Sequence, residues 1–150
     1  MKTLIAYYSW SGNTKRVAEV IHQRLPQSDL FEIKVDPADA YSADMMATAY
    51  ADERQKRTGH WPRIDQAPDL SQYDQILVGG PVWTWDLASP VIAFLKQIQG
   101  YTGLVRPFYT SVGNSQRYAG WFKRRAGNLR LGQDYDDAHD KLTQWLTAIQ

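Results

Sequence analysis

The chain has 150 residues, 43% hydrophobic and 22% charged, with 17 Lys and Arg against 16 Asp and Glu. It holds no cysteine, which excludes disulfides, thiolate metal sites, iron–sulfur ligation and a cysteine nucleophile, so any redox chemistry needs a bound cofactor. The near-neutral balance points to no nucleic-acid or membrane partner, and with no apolar run near the ~18 residues of a membrane span, one domain over residues 1–150 in the cytoplasm is expected.

Leu4 to Tyr8 is a short apolar run, the pattern of a strand covered on both faces. It breaks into Ser9-Trp10-Ser11-Gly12-Asn13-Thr14, after which Val17, Val20, Ile21 and Leu25 fall at helical spacing and Pro26 closes the helix. This first loop is rich in hydrogen-bond donors and contains no acid. Backbone N–H groups at a helix start, with the positive end of the dipole behind them, form an anion site. A plain capped turn is the alternative. The loop has no lysine and the chain no G-x-x-x-x-G-K-[ST], so a phosphate here is held without machinery to transfer it.

Leu30 to Val35 alternates as a second strand, halted by Asp36-Pro37. Tyr41, Met45, Ala49 and Tyr50 mark an amphipathic helix running toward Arg57, which Gly59-His60-Trp61-Pro62 breaks. Gln75 to Gly80 is the clearest buried strand. The loop after it, Pro81-Val82-Trp83-Thr84-Trp85-Asp86, carries two tryptophans off any helix stripe. Large rings in an exposed loop ask for a flat partner, or they cap the sheet as core.

Ser89-Pro90 gives a helix cap with proline at the first helical position, and Val91, Ile92, Leu95 and Ile98 lie beneath. Val105 to Val112 reads as a strand despite Pro107. A third donor-rich loop, Ser111 to Tyr118, contains Gly113 and Asn114 and offers Tyr118 as another ring. Tyr118 to Arg125 predicts a short helix and Asn128 to Leu131 a short fifth strand. Ala138, Leu142, Trp145, Leu146 and Ile149 form the stripe of a last helix.

Strands alternating with helices predict an α/β fold, a parallel sheet covered on both faces in three layers. Ligands of such sheets bind beyond the carboxyl ends of the strands, where the strand order reverses. The loops at 9–14, 81–86 and 111–118 all follow predicted strands. An anion site and aromatic loops on one edge describe a phosphorylated, planar aromatic ligand.

Other chemistries lack their residues. His22, His60 and His139 have no metal-ligand spacing. Asp134, Asp136, Asp137 and Asp140 fail the calcium-loop pattern and read better as acids opening the last helix. G-x-S-x-G is missing. A receiver domain would need acids after the first strand, where Tyr8-Ser9-Trp10 stands. Between Ser115 and Gln133 lie five cations, Arg117, Lys123, Arg124, Arg125 and Arg130, and no acids. They form either a solvated helix face or a docking patch for an acidic partner.

The segments "YYSWSGNT", "YDQILVGGPVWTWDLASPVIAFL" and "YTSVGNS" together resemble the phosphate loop, the strand–tryptophan–helix unit and the third loop of flavodoxins, and the likeness runs over nearly all 150 residues. The resemblance implies a doubly wound, flavodoxin-like, five-stranded parallel sheet in the order 2-1-3-4-5. It also implies noncovalent FMN, with the phosphate on Ser9, Ser11, Gly12, Asn13 and Thr14 and the ring against Trp83. The Pro81–Asp86 backbone, with Val82, Thr84 and Trp85, would meet the N5 edge of the flavin. The outer edge would lie near Ser111, Gly113, Asn114 and Tyr118, with Trp10 either covering the ligand or packing beside it. The implied activity is electron carriage between a flavoprotein reductase and an acceptor enzyme. An FMN-dependent NAD(P)H:quinone-type oxidoreductase and a non-catalytic flavin-binding module are the alternatives.

Overall fold

A computed structural model describes residues Met1–Gln150. Continuous apolar runs become central strands. β1 (Thr3–Tyr7) pairs in parallel with β2 (Ser28–Glu32) on one side and β5 (Gln75–Trp83) on the other, and β5 pairs with β7 (Leu104–Thr110). The fifth position is shared: β8 (Arg130–Leu131) pairs with Leu104 and Val105, and β9 (Tyr135–Asp136) with Phe108 and Tyr109. The order β2-β1-β5-β7-β8 reverses direction between β1 and β5, which places the ligand edge at their carboxyl ends.

Side chains alternate across the sheet. Leu4, Ala6, Ile76, Val78 and Val105 face a core shared with α3 (Ser89–Gln97) and α4 (Tyr118–Arg125). Ile5, Tyr7, Leu77 and Phe108 face Val17 and Ile21 of α1 (Asn13–Arg24) and Trp145, Leu146 and Ile149 of α5 (Leu142–Ile149). The three layers expected from the alternating pattern are present.

Four readings need correction. The second strand ends at Glu32, and Val35–Asp36 is instead β3, paired antiparallel with β4 (Arg63–Ile64). The helix expected from Tyr41 is α2 (Met45–Thr58), capped by Asp44, whose carboxylate accepts from the Met46 N–H at 2.9 Å. It buries Thr48 and Asp52, while Met45, Met46 and Tyr50 are exposed. The apolar stripe is therefore not its inner face. Helix α5 begins at Leu142, so the Asp134–Asp140 acids do not open it. They bind side chains: Asp134 accepts from Tyr109, Asp136 from Ser115, and Asp137 from Arg16. The expected loop at 81–86 is a tight hairpin, because β5 continues to Trp83 and returns as β6 (Asp86–Leu87).

At Gly79 the ring of Phe108 occupies the place of a side chain. A Cβ there would run into the buried Phe108 ring, and a core cannot absorb that without moving the ring. Gly79→Ala is expected to cost roughly 1–3 kcal/mol of stability, read as a lower urea midpoint with unchanged slope. An unchanged midpoint would show that the ring moves freely.

Candidate functional site

The first loop is shaped by Ser9 and Gly12. Ser9 Oγ accepts from the N–H groups of Gly12 at 3.1 Å and Lys15 at 3.2 Å. Gly12 sits at φ 99°, left-handed, where a side chain would be strained. The Asn13 and Thr14 N–H groups at the start of α1 find no acceptor within the chain, as expected of a free helix end. The side chains of Ser11 and Asn13 stand exposed beside them. These donors lie at the positive end of the α1 dipole. Thr14 differs from the expectation in its side chain: it is buried, its hydroxyl 2.8 Å from that of Thr110, and so it ties α1 to the end of β7.

Trp83 closes β5 and is half-buried. Its ring meets Tyr41 (5.2 Å between centroids), Tyr8 (5.5 Å) and Trp10 (6.2 Å) edge-on. Burial raises the phenol pKa of both Tyr8 and Tyr41, and the Asp52 charge adds to it, so both stay neutral donors. Trp10 donates from Nε1 to the Ser42 carbonyl at 3.2 Å. It forms one wall of a cleft of about 610 Å³ beside Ser9 and Ser11, which Lys34 and Tyr41 also line.

Thr84 (φ 55°) and Trp85 (φ 65°) both take left-handed backbone without being glycine. That is the turn a two-residue hairpin needs. Non-glycine residues hold it only where the surroundings enforce it. Trp85 points outward, half exposed. Pro81 is half-buried, while Val82 belongs to the core. Asp86 anchors the return strand: its carboxylate accepts from the Leu87 N–H at 2.6 Å and from Arg125 at 2.7 Å. The Arg125 guanidinium lies over both Trp61 and Trp121.

In the third loop, Ser111 Oγ accepts from the Gly113 N–H at 3.4 Å, and Gly113 takes φ 97°. Asn114 Oδ1 is buried without a hydrogen-bond partner, a state that costs free energy. Ser115 Oγ donates to Asp136 at 2.6 Å and pins the loop to β9. Tyr118 corrects the expectation. Its ring is fully buried and stacked on Tyr109 at 4.2 Å. It packs beneath the site and offers no face to a ligand. Burial raises its phenol pKa well above the ordinary 10.

The basic stretch divides. Arg125 is engaged by Asp86, and Arg130 donates to the Thr102 carbonyl at 3.1 Å. Arg117, Lys123 and Arg124 remain exposed on and beside α4.

The sequence reading missed a buried polar cluster. Asp52 accepts at Oδ1 from the Ser89 N–H (2.9 Å) and hydroxyl (2.6 Å), and its Oδ2 lies 2.6 Å from Lys56 Nζ. Lys56 also donates to the Trp83 carbonyl at 3.0 Å. The polar spacing of Thr48, Asp52 and Lys56 along α2 was its only trace.

A sequence model of the flavodoxin family matches residues 2–147. The fold matches a flavoprotein from Lactobacillus acidophilus NCFM crystallised in complex with FMN, with TM-score 0.88, 36% identity, and coverage of 96% of this chain and 97% of that one. The NMR structure of the apo-form of the flavoprotein from the same organism matches at TM-score 0.71 and 36% identity, over 96% of each chain. The two-electron reduced flavodoxin of Megasphaera elsdenii shares the fold at TM-score 0.55 and 17% identity, with 89% of this chain and 84% of that one covered. No curated protein matched.

Proposed function

The chain belongs to the flavodoxin family, and we propose that it is a single-domain FMN carrier that takes electrons from a flavoprotein reductase and passes them to an acceptor enzyme. The observation that carries the reading is the set of unpaired donors at the start of α1, on the same sheet edge as the half-buried Trp83. A phosphorylated flavin suits both features: an anion for the free N–H groups, and a flat ring for Trp83. The FMN complex of the Lactobacillus acidophilus relative supports the choice of cofactor.

Ser9, Ser11, Gly12, Asn13 and the Thr14 backbone would hold the phosphate, and Trp83 would wall the ring. Trp85, Ser111 and Gly113 would border its edge. FMN, when bound, supplies reversible uptake and release of one or two electrons. The chain's residues bind it, keep water from its inner face and leave an edge open for a partner. No helix is long and apolar enough to cross a membrane, and we place the protein in the cytoplasm. Exposed Arg117, Lys123 and Arg124 suit an acidic docking surface on the reductase.

The purified protein should be yellow, or become so with FMN. Aromatic stacking is worth ~1–3 kcal/mol, so Trp83→Ala should weaken FMN binding roughly tenfold or more in a flavin titration, with the fold kept. If the variant unfolds while its folded fraction binds FMN normally, Trp83 is core and not part of the site.

A second reading is favoured by one observation. With Tyr118 buried, the third loop brings no ring to the flavin. An open ring face is what an FMN-dependent NAD(P)H:quinone-type oxidoreductase needs.

A further inference from the structure

Lys56 lies one helical turn after Asp52, and both side chains are inside, 12% and 0% exposed. Exposed pairs at this spacing contribute little, but a buried carboxylate and ammonium persist only if every charged atom has a partner. Asp52 is satisfied at both oxygens, by Ser89 at the start of α3 and by Lys56. Lys56 spends a further proton on the carbonyl of Trp83, the last residue of β5. Two side chains thereby tie α2, α3 and the hairpin at one point. That hairpin turns on left-handed Thr84 and Trp85, the kind of backbone that needs outside enforcement.

The tie has a directional consequence. A peptide group is planar and trans, so its C=O and N–H point opposite ways. With the Trp83 carbonyl held toward Lys56, the Thr84 N–H is turned away from α2, and no acceptor within the chain takes it.

We propose that Lys56, anchored by Asp52, is a positioning residue that locks the Trp83–Thr84 peptide and presents the Thr84 N–H as a fixed donor to the ligand. The inference rests on the hairpin's being a flavin wall. Flavin N5 accepts a hydrogen bond when oxidised and donates one when reduced. A donor that cannot turn away therefore favours the oxidised ring and lowers its potential. Rotating the peptide to offer its carbonyl would break the bond to Lys56.

The test uses Asp52→Asn/Lys56→Met, which removes both charges together and leaves none buried alone. Asp52→Asn/Lys56→Gln keeps more hydrogen bonds and serves if the first fails to fold. In the folded, flavin-free variant, backbone amides of residues 82–87 should exchange with solvent roughly tenfold faster, with α1 unchanged. With FMN bound, the two-electron potential should rise by ~30 mV, the equivalent of a tenfold change in relative affinity for the two redox states. Unchanged exchange at 82–87 in a folded variant overturns the lock. Faster exchange with an unchanged potential overturns the positioning role and leaves the hairpin a purely structural feature. Failure of the unmutated protein to bind FMN would show separately that the flavin reading itself is wrong.

Discussion

Riboflavin is expected to bind the flavin-free protein at least a hundredfold more weakly than FMN, although the two share the whole ring system. The difference lies in the phosphate and in what the first loop offers it. The Asn13 and Thr14 N–H groups have no partner within the chain, and the Ser11 and Asn13 side chains stand free beside them. Hydrogen bonds to a charged group are worth ~1.5–3 kcal/mol each. Losing two of them costs roughly 3–6 kcal/mol, and each 1.4 kcal/mol or so is tenfold in affinity. Ser9 keeps the donors aimed, since its hydroxyl oxygen already binds the Gly12 and Lys15 N–H groups. Parallel titrations monitored by quenching of flavin fluorescence read the ratio. Equal affinities would show that the loop does not hold the phosphate.

Much of the fold was legible because its signals were local and repeated. Apolar runs at Leu4–Tyr8 and Gln75–Gly80 announced strands covered on both faces, and both are central in the sheet. Helix α4 spans the expected residues, 118–125. The first loop was legible because serine, glycine and asparagine punctuate a change of period, and Gly12 takes the left-handed turn that only glycine adopts at little cost. The second loop hid its hairpin. Thr84-Trp85 lacks the Asn-Gly or Gly-Gly signature of such turns, and contacts from Arg125 to Asp86 and from Lys56 to the Trp83 carbonyl enforce the conformation from outside. Tyr118 was misread because a ring following a loop looks available. At the first position of a helix, however, its side chain is directed by the packing of α4 on the sheet, which stacks it on Tyr109. Helix α2 was misread for a related reason. Its inner face is polar, satisfied by Ser42, Ser89 and Trp83 from other elements, and such partners are invisible to periodicity.

Reduction of the bound flavin by NADH or NADPH alone should be slow, and addition of a flavoprotein reductase should raise the rate on the order of a hundredfold. Hydride transfer demands that nicotinamide lie against the ring at roughly 3–3.5 Å, and a misplacement of ~1 Å can cost a hundredfold in rate. Holding it there takes a second nucleotide site. The donor-rich loop at the start of α1 is spent on the FMN phosphate in this account, and no G-x-G-x-x-G occurs in the chain. Electrons make a weaker demand: a flavin edge beside the exposed Trp85 and Gly113 would let them pass without stacking. The reductase would dock through charge. Arg117, Lys123 and Arg124 are exposed, and such steering is screened beyond ~10 Å at 0.1 M salt. The deciding measurement is stopped-flow bleaching of the flavin band with NADPH and NADH, with and without a catalytic amount of flavoprotein reductase, at low and high salt. The carrier account predicts reductase-dependent reduction that slows as salt rises. Rapid, saturable reduction by NAD(P)H alone, followed by turnover with a quinone, would contradict it and make the protein an oxidoreductase in its own right.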